Sequence, residues 1–347
     1  MKNEYDRPAA APGALRLHLN ERSDGCAPGA LQAIRALAAS DFAAYPDYDS
    51  AIAAAADYFQ LAPGEFVLTN GLDEGLHAAA TLALRGRSDA ESIIIEPAFD
   101  MYEVVTQANA GRVVRLDPLP DFSPGVERVK SAITTRTRIV FANTPMNPTG
   151  VEIDREAIFD LAAAAPDVLV FVDEAYAEFG TWSLFDDRAR LASAPNLVVG
   201  RTFAKAYGLA GLRIGLVAGA RDVVAELKAI VPPYTLNAAA TAALPAALAD
   251  RGHVGQYVNE ARRSREILYA ACDRAGIGYW KSAANFVLLR AGAAAPRLLE
   301  AFAARGIAVR DRTAALPGGG CIRVTAGRVA DTQRVADTIE ETLCGAR

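Results

Sequence analysis

Histidine and cysteine are scarce in this chain, with three histidines and four cysteines among 347 residues. Cys26, Cys272, Cys321 and Cys344 are far apart, and His18, His77 and His253 are equally scattered. Neither set has the close ligand spacing of a structural metal or a redox pair, so a reduced protein without a metal is expected. The charge leaves no nucleic-acid footprint: the formal net charge is −5 and no Lys/Arg block stands out. The opening MKNEYDRPAAAPG lacks the apolar core of a signal peptide, and no run of about 18 uncharged apolar residues offers a membrane span. A cytoplasmic protein that handles small molecules and has no membrane partner is the expectation. Internal repeats and linker-like low-complexity segments are also missing. The alanine-rich tracts Ala51–Ala56, Ala162–Ala165 and Ala238–Ala247 are helix formers.

What is present points to an α/β protein. The length exceeds one ordinary hydrophobic core, which suggests two domains. A composition of 52% hydrophobic and 22% charged residues fits a globular chain. Short, nearly continuous apolar runs predict strands covered on both faces at Ser92–Ile95, Arg112–Leu116, Arg138–Ala142, Val168–Asp173 and Leu197–Arg201. Helical patterns at Asp73–Leu84, Met101–Ala108 and Arg155–Ala164 alternate with them, which argues for a doubly wound parallel sheet. After about Asn237 the texture changes. Helices near Ala238–Ala249 and Val254–Ala275 lead to strands near Asn285–Leu289 and Cys321–Thr325, with a helix near Pro296–Arg305 between them. A large domain over 29–236 and a smaller α+β domain over 237–347 are therefore expected.

Ligands of open α/β sheets sit at the carboxyl ends of the strands, and four ends here carry chemistry. Glu65–Thr69 runs into a glycine and acids, Gly71-Leu72-Asp73, whose backbone N–H groups at a helix start would suit a phosphate. Ordinary helix capping accounts for the same residues. Arg138–Ala142 ends in NTPMNPTG, a proline-stiffened loop that displays Asn147. The apolar strand VLVFVD closes on Asp173 and continues to Tyr176; such an aspartate is costly to bury without a cation or strong donors. Leu197–Arg201 runs into RTFAKAYGLAGLRIG, which brings Thr202, Lys205 and Arg213 to the same edge. One ligand uses all of these groups. It carries a phosphate, an aldehyde for the amine of Lys205, a protonatable ring nitrogen for Asp173 and a phenolic oxygen for Asn147 and Tyr176. That ligand is pyridoxal 5′-phosphate.

NPTG at Asn147–Gly150, DEAY at Asp173–Tyr176 and the lysine segment together resemble the fold-type-I pyridoxal-phosphate-dependent aminotransferases. Within them, the nearest likeness is to the histidinol-phosphate aminotransferases, and it runs from Asn20-Glu21 through AYPD to CIRVT. The resemblance implies a mainly parallel seven-stranded sheet sandwiched by helices, with the smaller domain after it and an N-terminal arm over 1–28. It implies a homodimer exchanging amino groups between an amino donor and a 2-oxo acid, glutamate and 2-oxoglutarate being one pair. By the same resemblance, Lys205 forms the Schiff base, Arg213 holds the phosphate and Phe99 stacks on the cofactor ring. Tyr45 reaches the neighbouring subunit's phosphate, Arg323 forks the substrate carboxylate, and Arg310 lies near the substrate's far end. Asn20 on the arm and Tyr102 are further substrate contacts, although a plain core aromatic describes Tyr102 equally well.

Three departures accompany the likeness. Asn20-Glu-Arg-Ser-Asp-Gly25 replaces the proline and aromatic that follow Asn-Glu in the family, Ala204 replaces a serine beside the lysine, and Leu72 replaces a small polar residue. Two other readings use the same residues: a decarboxylase or lyase on this cofactor, and a non-catalytic pyridoxal-phosphate-binding protein.

Overall fold

Runs rich in Val, Ile and Leu form strands that are stable only when both faces are covered. The computed structural model describes residues 10–87, 89–117, 119, 125–313 and 318–345. Seven strands form one sheet in the spatial order Phe66–Thr69, Gly215–Gly219, Leu197–Thr202, Leu169–Asp173, Thr137–Asn143, Glu91–Ile95, Arg112–Leu116. Neighbours are parallel except at Gly215–Gly219, which is antiparallel to both strands beside it. Every residue of Leu169–Asp173 and Leu197–Thr202 is buried, as the sequence leads one to expect.

Arg112–Leu116 departs from that expectation. It forms the sheet edge, with Arg112 and Arg115 turned to solvent. Arg115 pairs with Glu96 at 2.6 Å and Glu103 at 2.5 Å. Charge on an edge strand discourages pairing with a second chain. Gly215–Gly219 is the strand that patterning does not reveal, because glycine at both its ends weakens the strand signal. Glycine is required at 215: a Cβ there would stand 2.6 Å from the backbone of Gly71 and Leu72. The bare backbone lets the helix Gly71–Leu84 begin directly against the sheet. Leu76 and Leu84 of that helix are wholly buried, each contributing about 1.5–3 kcal/mol.

A second sheet is antiparallel throughout, in the order Arg310–Asp311, Cys321–Thr325, Phe286–Arg290, Gly278–Tyr279. Leu268, Val287, Phe302, Val324 and Ile339 fill the core between it and its helices. The helix Ala238–Ala249 packs against Pro28–Arg35 and Asp49–Phe59, with Leu244 and Ala247 in the larger core. By packing it belongs with the larger sheet, although its sequence groups with the C-terminal segment. Arg251–Ala275 then spans both cores, Tyr257 and Ala261 lying in the larger and Leu268 and Cys272 in the smaller. Near the N-terminus, Leu15–Arg16 pairs in parallel with Ile307–Ala308. This pairing anchors an arm that crosses the strand ends of the larger sheet. Among the described residues no helix is long and apolar enough to cross a membrane.

Candidate active site

A cavity of about 640 Å³ opens at the carboxyl ends of the parallel strands, between the large sheet, the arm and the Cys321–Thr325 strand. Asp173, the last residue of its strand, faces it and is almost wholly buried. Its carboxylate accepts from the Tyr102 hydroxyl at 2.7 Å and from the Ala175 amide at 2.9 Å. Burial nevertheless pushes its pKa from 3.8 to about 6, against the lowering effect of those two donors. Lys205 lies near enough to favour the ionised form, but no cation among the described residues bonds this carboxylate directly, and a protonated ring nitrogen would.

Lys205 enters the cavity from the loop after Leu197–Thr202. Burial, followed by the nearby Arg323 guanidinium, lowers its pKa to about 8. The ammonium donates to the carbonyl of Leu19 on the arm at 3.0 Å. Beside it, the Tyr176 hydroxyl accepts from the Asn20 side chain at 3.0 Å, and burial raises the tyrosine's pKa. Asn20 is itself buried and sits at φ +56°, a left-handed conformation that asparagine adopts more readily than most residues.

The far end of the cavity is an anion site. The helix Gly71–Leu84 begins without a side-chain cap, so the amides of its first turn, at Gly71, Leu72 and Asp73, are not capped by a side chain. Arg213, at φ +53°, lies across this turn with Nη2 at 2.9 Å from Asp73. Gly71 sits at φ +72°, which favours glycine, and a Cβ there would come within 2.6 Å of Arg213 Nη2 and displace the guanidinium. Thr202 completes this wall.

Arg323 also lines the cavity, buried and held by Asn147 Oδ1 at 2.5 Å and the His18 carbonyl at 2.7 Å. Asn147, Phe99 and Leu72 also line the cavity.

Three of the expected residues do not line this chain's cavity. Tyr102 is 1% exposed, stacks on Phe141 at 5.1 Å and donates its hydroxyl to Asp173, supporting the aspartate from behind. Arg310 pairs in register with Arg323 across the second sheet but is outside the lining. Tyr45, expected at the neighbouring subunit's phosphate and not in its own cavity, is 78% exposed and stacked on Tyr234 at 4.2 Å. Sequence reasoning missed Asn143. Its amide donates to the Asp173 carbonyl at 2.9 Å and its oxygen accepts from the Asn147 amide at 2.7 Å, which ties two strand ends together. A polar residue closing an apolar strand was the available signal. Also missed was the buried ion cluster behind the site, where Arg201 meets Glu174 at 2.9 Å and also pairs with Glu178.

The groups suit a pyridine ring bearing an aldehyde and a phosphate: amine, counter-carboxylate and uncapped amides with an arginine share one cavity. Fold and site together define a pyridoxal-phosphate-dependent enzyme. The family description "Aminotransferase class I and II" matches residues 13–339, and the chain belongs to that family. It is a pyridoxal-phosphate-dependent aminotransferase of fold type I. Histidinol-phosphate aminotransferases from Erythrobacter litoralis and Symbiobacterium thermophilum are 36% and 34% identical to it. They cover 96% and 95% of this chain, which matches 93% and 90% of theirs. An aromatic amino acid aminotransferase from Rhodococcus jostii is 34% identical over 92% of this chain and 88% of its own. The crystal structure of histidinol-phosphate aminotransferase from Sinorhizobium meliloti, in complex with pyridoxal-5′-phosphate, is similar at a TM-score of 0.86 and 25% identity. The match covers 99% of this chain and 96% of that one.

Proposed function

We propose that this aminotransferase exchanges an amino group between glutamate and 2-oxoglutarate on one side and histidinol phosphate, or a closely related amine, on the other. The observation that carries the reading is a second arginine, the buried Arg323, lining the same cavity as Arg213. One cation in that position suits the carboxylate of glutamate and a phosphate monoester in turn. On this reading Arg213, Thr202 and the amides of Gly71, Leu72 and Asp73 hold the cofactor phosphate. Asp173 faces the ring nitrogen, Asn147 and Tyr176 hold the phenolic oxygen, and Phe99 covers the ring. The cofactor, when bound, withdraws the electron pair left at the substrate Cα. Lys205 Nζ moves the Cα proton; with a pKa of about 8, roughly a tenth of it is the free base at pH 7. The Leu19 carbonyl orients that amine, and Asn20 fixes the Tyr176 hydroxyl.

Absorbance changes of the holoenzyme on mixing with glutamate, histidinol phosphate, tyrosine or phenylalanine test the reading. Amino transfer from tyrosine but not from histidinol phosphate overturns the substrate and leaves amino transfer standing. Carbon dioxide release without amino transfer would move the protein to the decarboxylases. Arg323→Ala should weaken glutamate and histidinol phosphate alike. Truncating one side of a buried charge pair costs about 2–5 kcal/mol, so kcat/KM for each is expected to fall by roughly 30-fold to several thousand-fold. Arg310→Ala is expected to change either substrate by less than about threefold, since Arg310 is outside the lining. A large, phosphate-selective loss in Arg310→Ala would contradict this assignment of the phosphate to Arg323.

We infer a cytoplasmic homodimer. Phe42, Tyr45, Tyr234 and Leu31 are exposed large apolar residues, an arrangement that suits an interface with a second copy. If Tyr45 completes the partner's phosphate site, Tyr45→Ala sediments as a dimer yet loses cofactor on dialysis faster than wild type. A fully active monomer in sedimentation would refute the assembly.

A further inference from the structure

Arm residues contact three groups of the site at once. The His18 carbonyl accepts from Arg323 at 2.7 Å, the Leu19 carbonyl from Lys205 at 3.0 Å, and the Asn20 amide donates to Tyr176 at 3.0 Å. These contacts require one arm conformation, with Asn20 in the left-handed region. Thr325 and Asn285 bond Asn20 itself, at 3.2 and 3.1 Å, and a second set of contacts outside the cavity lining ties the arm to the Lys205 loop. The Arg22 side chain is 1% exposed. It forks Asp24, with Nε to Oδ1 at 2.6 Å and Nη2 to Oδ2 at 2.9 Å. Its Nη1 donates to the carbonyls of Ala206 at 3.1 Å and His253 at 3.2 Å, and its guanidinium lies 4.6 Å over the Tyr257 ring. Ala206 directly follows Lys205. The arm meets the same loop again at Gly208, where a Cβ would stand 2.5 Å from the Gly25 carbonyl oxygen.

We propose that Arg22 is a positioning residue that clasps the arm to the Lys205 loop and keeps the site covered in both half-reactions. It is a device of this chain's own Arg-Ser-Asp sequence, and it rests on the amino-transfer reading. When only a fraction of molecules has the arm closed, apparent affinity drops by that fraction, whereas a molecule that has closed turns over normally. Loss of the clasp therefore raises KM by one common factor for every substrate and spares kcat. Loss of a direct substrate contact would affect one substrate, and general destabilisation would not sort by KM.

The test compares Arg22→Ala, Arg22→Lys and Asp24→Asn with wild-type holoenzyme in the glutamate and 2-oxoglutarate half-reactions, and by amide hydrogen exchange. For Arg22→Ala, KM rises about tenfold or more, by the same factor for both substrates, with kcat changed less than about threefold. Exchange over residues 18–25 speeds up by a similar factor. The Leu15 and Leu17 amides, bonded to Gly306 and Ala308, stay protected. Lysine keeps the charge but cannot fork Asp24, so Arg22→Lys restores only part of the loss. Unequal KM factors, a kcat loss at constant KM, or equal exchange at Leu15, Leu17 and the arm overturns the clasp. Should Arg22→Ala not fold, Asp24→Asn keeps the guanidinium and its carbonyl partners and shows the same pattern with a smaller factor. A wild-type enzyme that takes no amino group from glutamate defeats the amino-transfer reading, and hydrogen exchange alone still decides the clasp.

Discussion

Lys205→Ala is expected to lower turnover by at least about 10⁴-fold, the upper end of what one positioned proton-transfer group contributes. The residue joins two demands in one amine. It must be neutral often enough to take a proton, which burial and Arg323 arrange by holding its pKa at about 8. It must also be aimed, which the Leu19 carbonyl does at 3.0 Å. Borohydride treatment of the wild-type holoenzyme followed by peptide mapping should find cofactor fixed at Lys205; fixation on another lysine would remove the residue from the mechanism. Stability gives an independent readout. Because the folded-state pKa is depressed, the unfolded chain binds more protons at this site between about 8 and 10.5, so wild-type stability gains from rising pH in that window. The alanine variant lacks that gain. Melting temperature against pH for the cofactor-free proteins checks it without any reference to activity.

The sheet was legible where strands are buried on both faces. VLVFVD and LVVGR read as strands because burial on two sides leaves no room for alternation, and all their sheet residues are buried. RVVRL has a strand's composition, yet nothing in those five residues announces an edge; its exposure follows from its place at the end of the sheet, with Glu91–Ile95 as its one neighbouring strand among the described residues. GLVAG escaped for the opposite reason. Gly215 lets the Gly71–Leu84 helix approach and Gly219 leaves room for the Leu197 carbonyl, tertiary requirements that appear locally as weak strand propensity.

In the site, residues placed by a strand end were legible from the strands themselves, whereas Asn20 on the arm and Arg323 in the second sheet were reached only through the family resemblance. Asp173, Asn147 and Lys205 follow directly from apolar strands that stop in polar groups, and all three line one cavity. Arg323, read in the strand CIRVT, was expected at the substrate carboxylate and Arg310 near the substrate's far end, both by resemblance. Their register partnership puts them side by side, but only Arg323 reaches the wall. Tyr102 illustrates a different limit. A helix position can be read as facing the core, but the sequence does not say that its hydroxyl meets a carboxylate one strand away. Arg22 read as a loss, a missing proline and aromatic; in the structure its guanidinium bonds Asp24 and the carbonyls of Ala206 and His253.

Asp173→Asn should lower kcat by about two to three and a half orders of magnitude without unfolding the protein. Removing the counter-charge of a buried cation costs about 3–5 kcal/mol, which converts to that range of rate. The asparagine keeps an oxygen for the Ala175 amide, while Tyr102 can turn its hydroxyl to accept from the new amide. The stability effect runs the other way. Between pH 3.8 and about 6 the native protein holds a proton on Asp173 that the unfolded chain has released, so this site's contribution to stability falls as pH climbs through that window. Above it, the ionised carboxylate costs the cofactor-free fold about 3 kcal/mol, because 3.8 has become about 6 and each unit is worth about 1.4 kcal/mol. An amide carries no such cost. The cofactor-free Asp173→Asn protein should therefore match or exceed wild type in melting temperature at pH 7–8 and lose that advantage near pH 4. Near-normal turnover in the variant would make the carboxylate structural. Parallel melting curves across the pH range would mean that Asp173 bears no unpaired charge. A variant that gains stability while losing turnover is the result expected of a carboxylate buried to hold a charge that arrives with the cofactor.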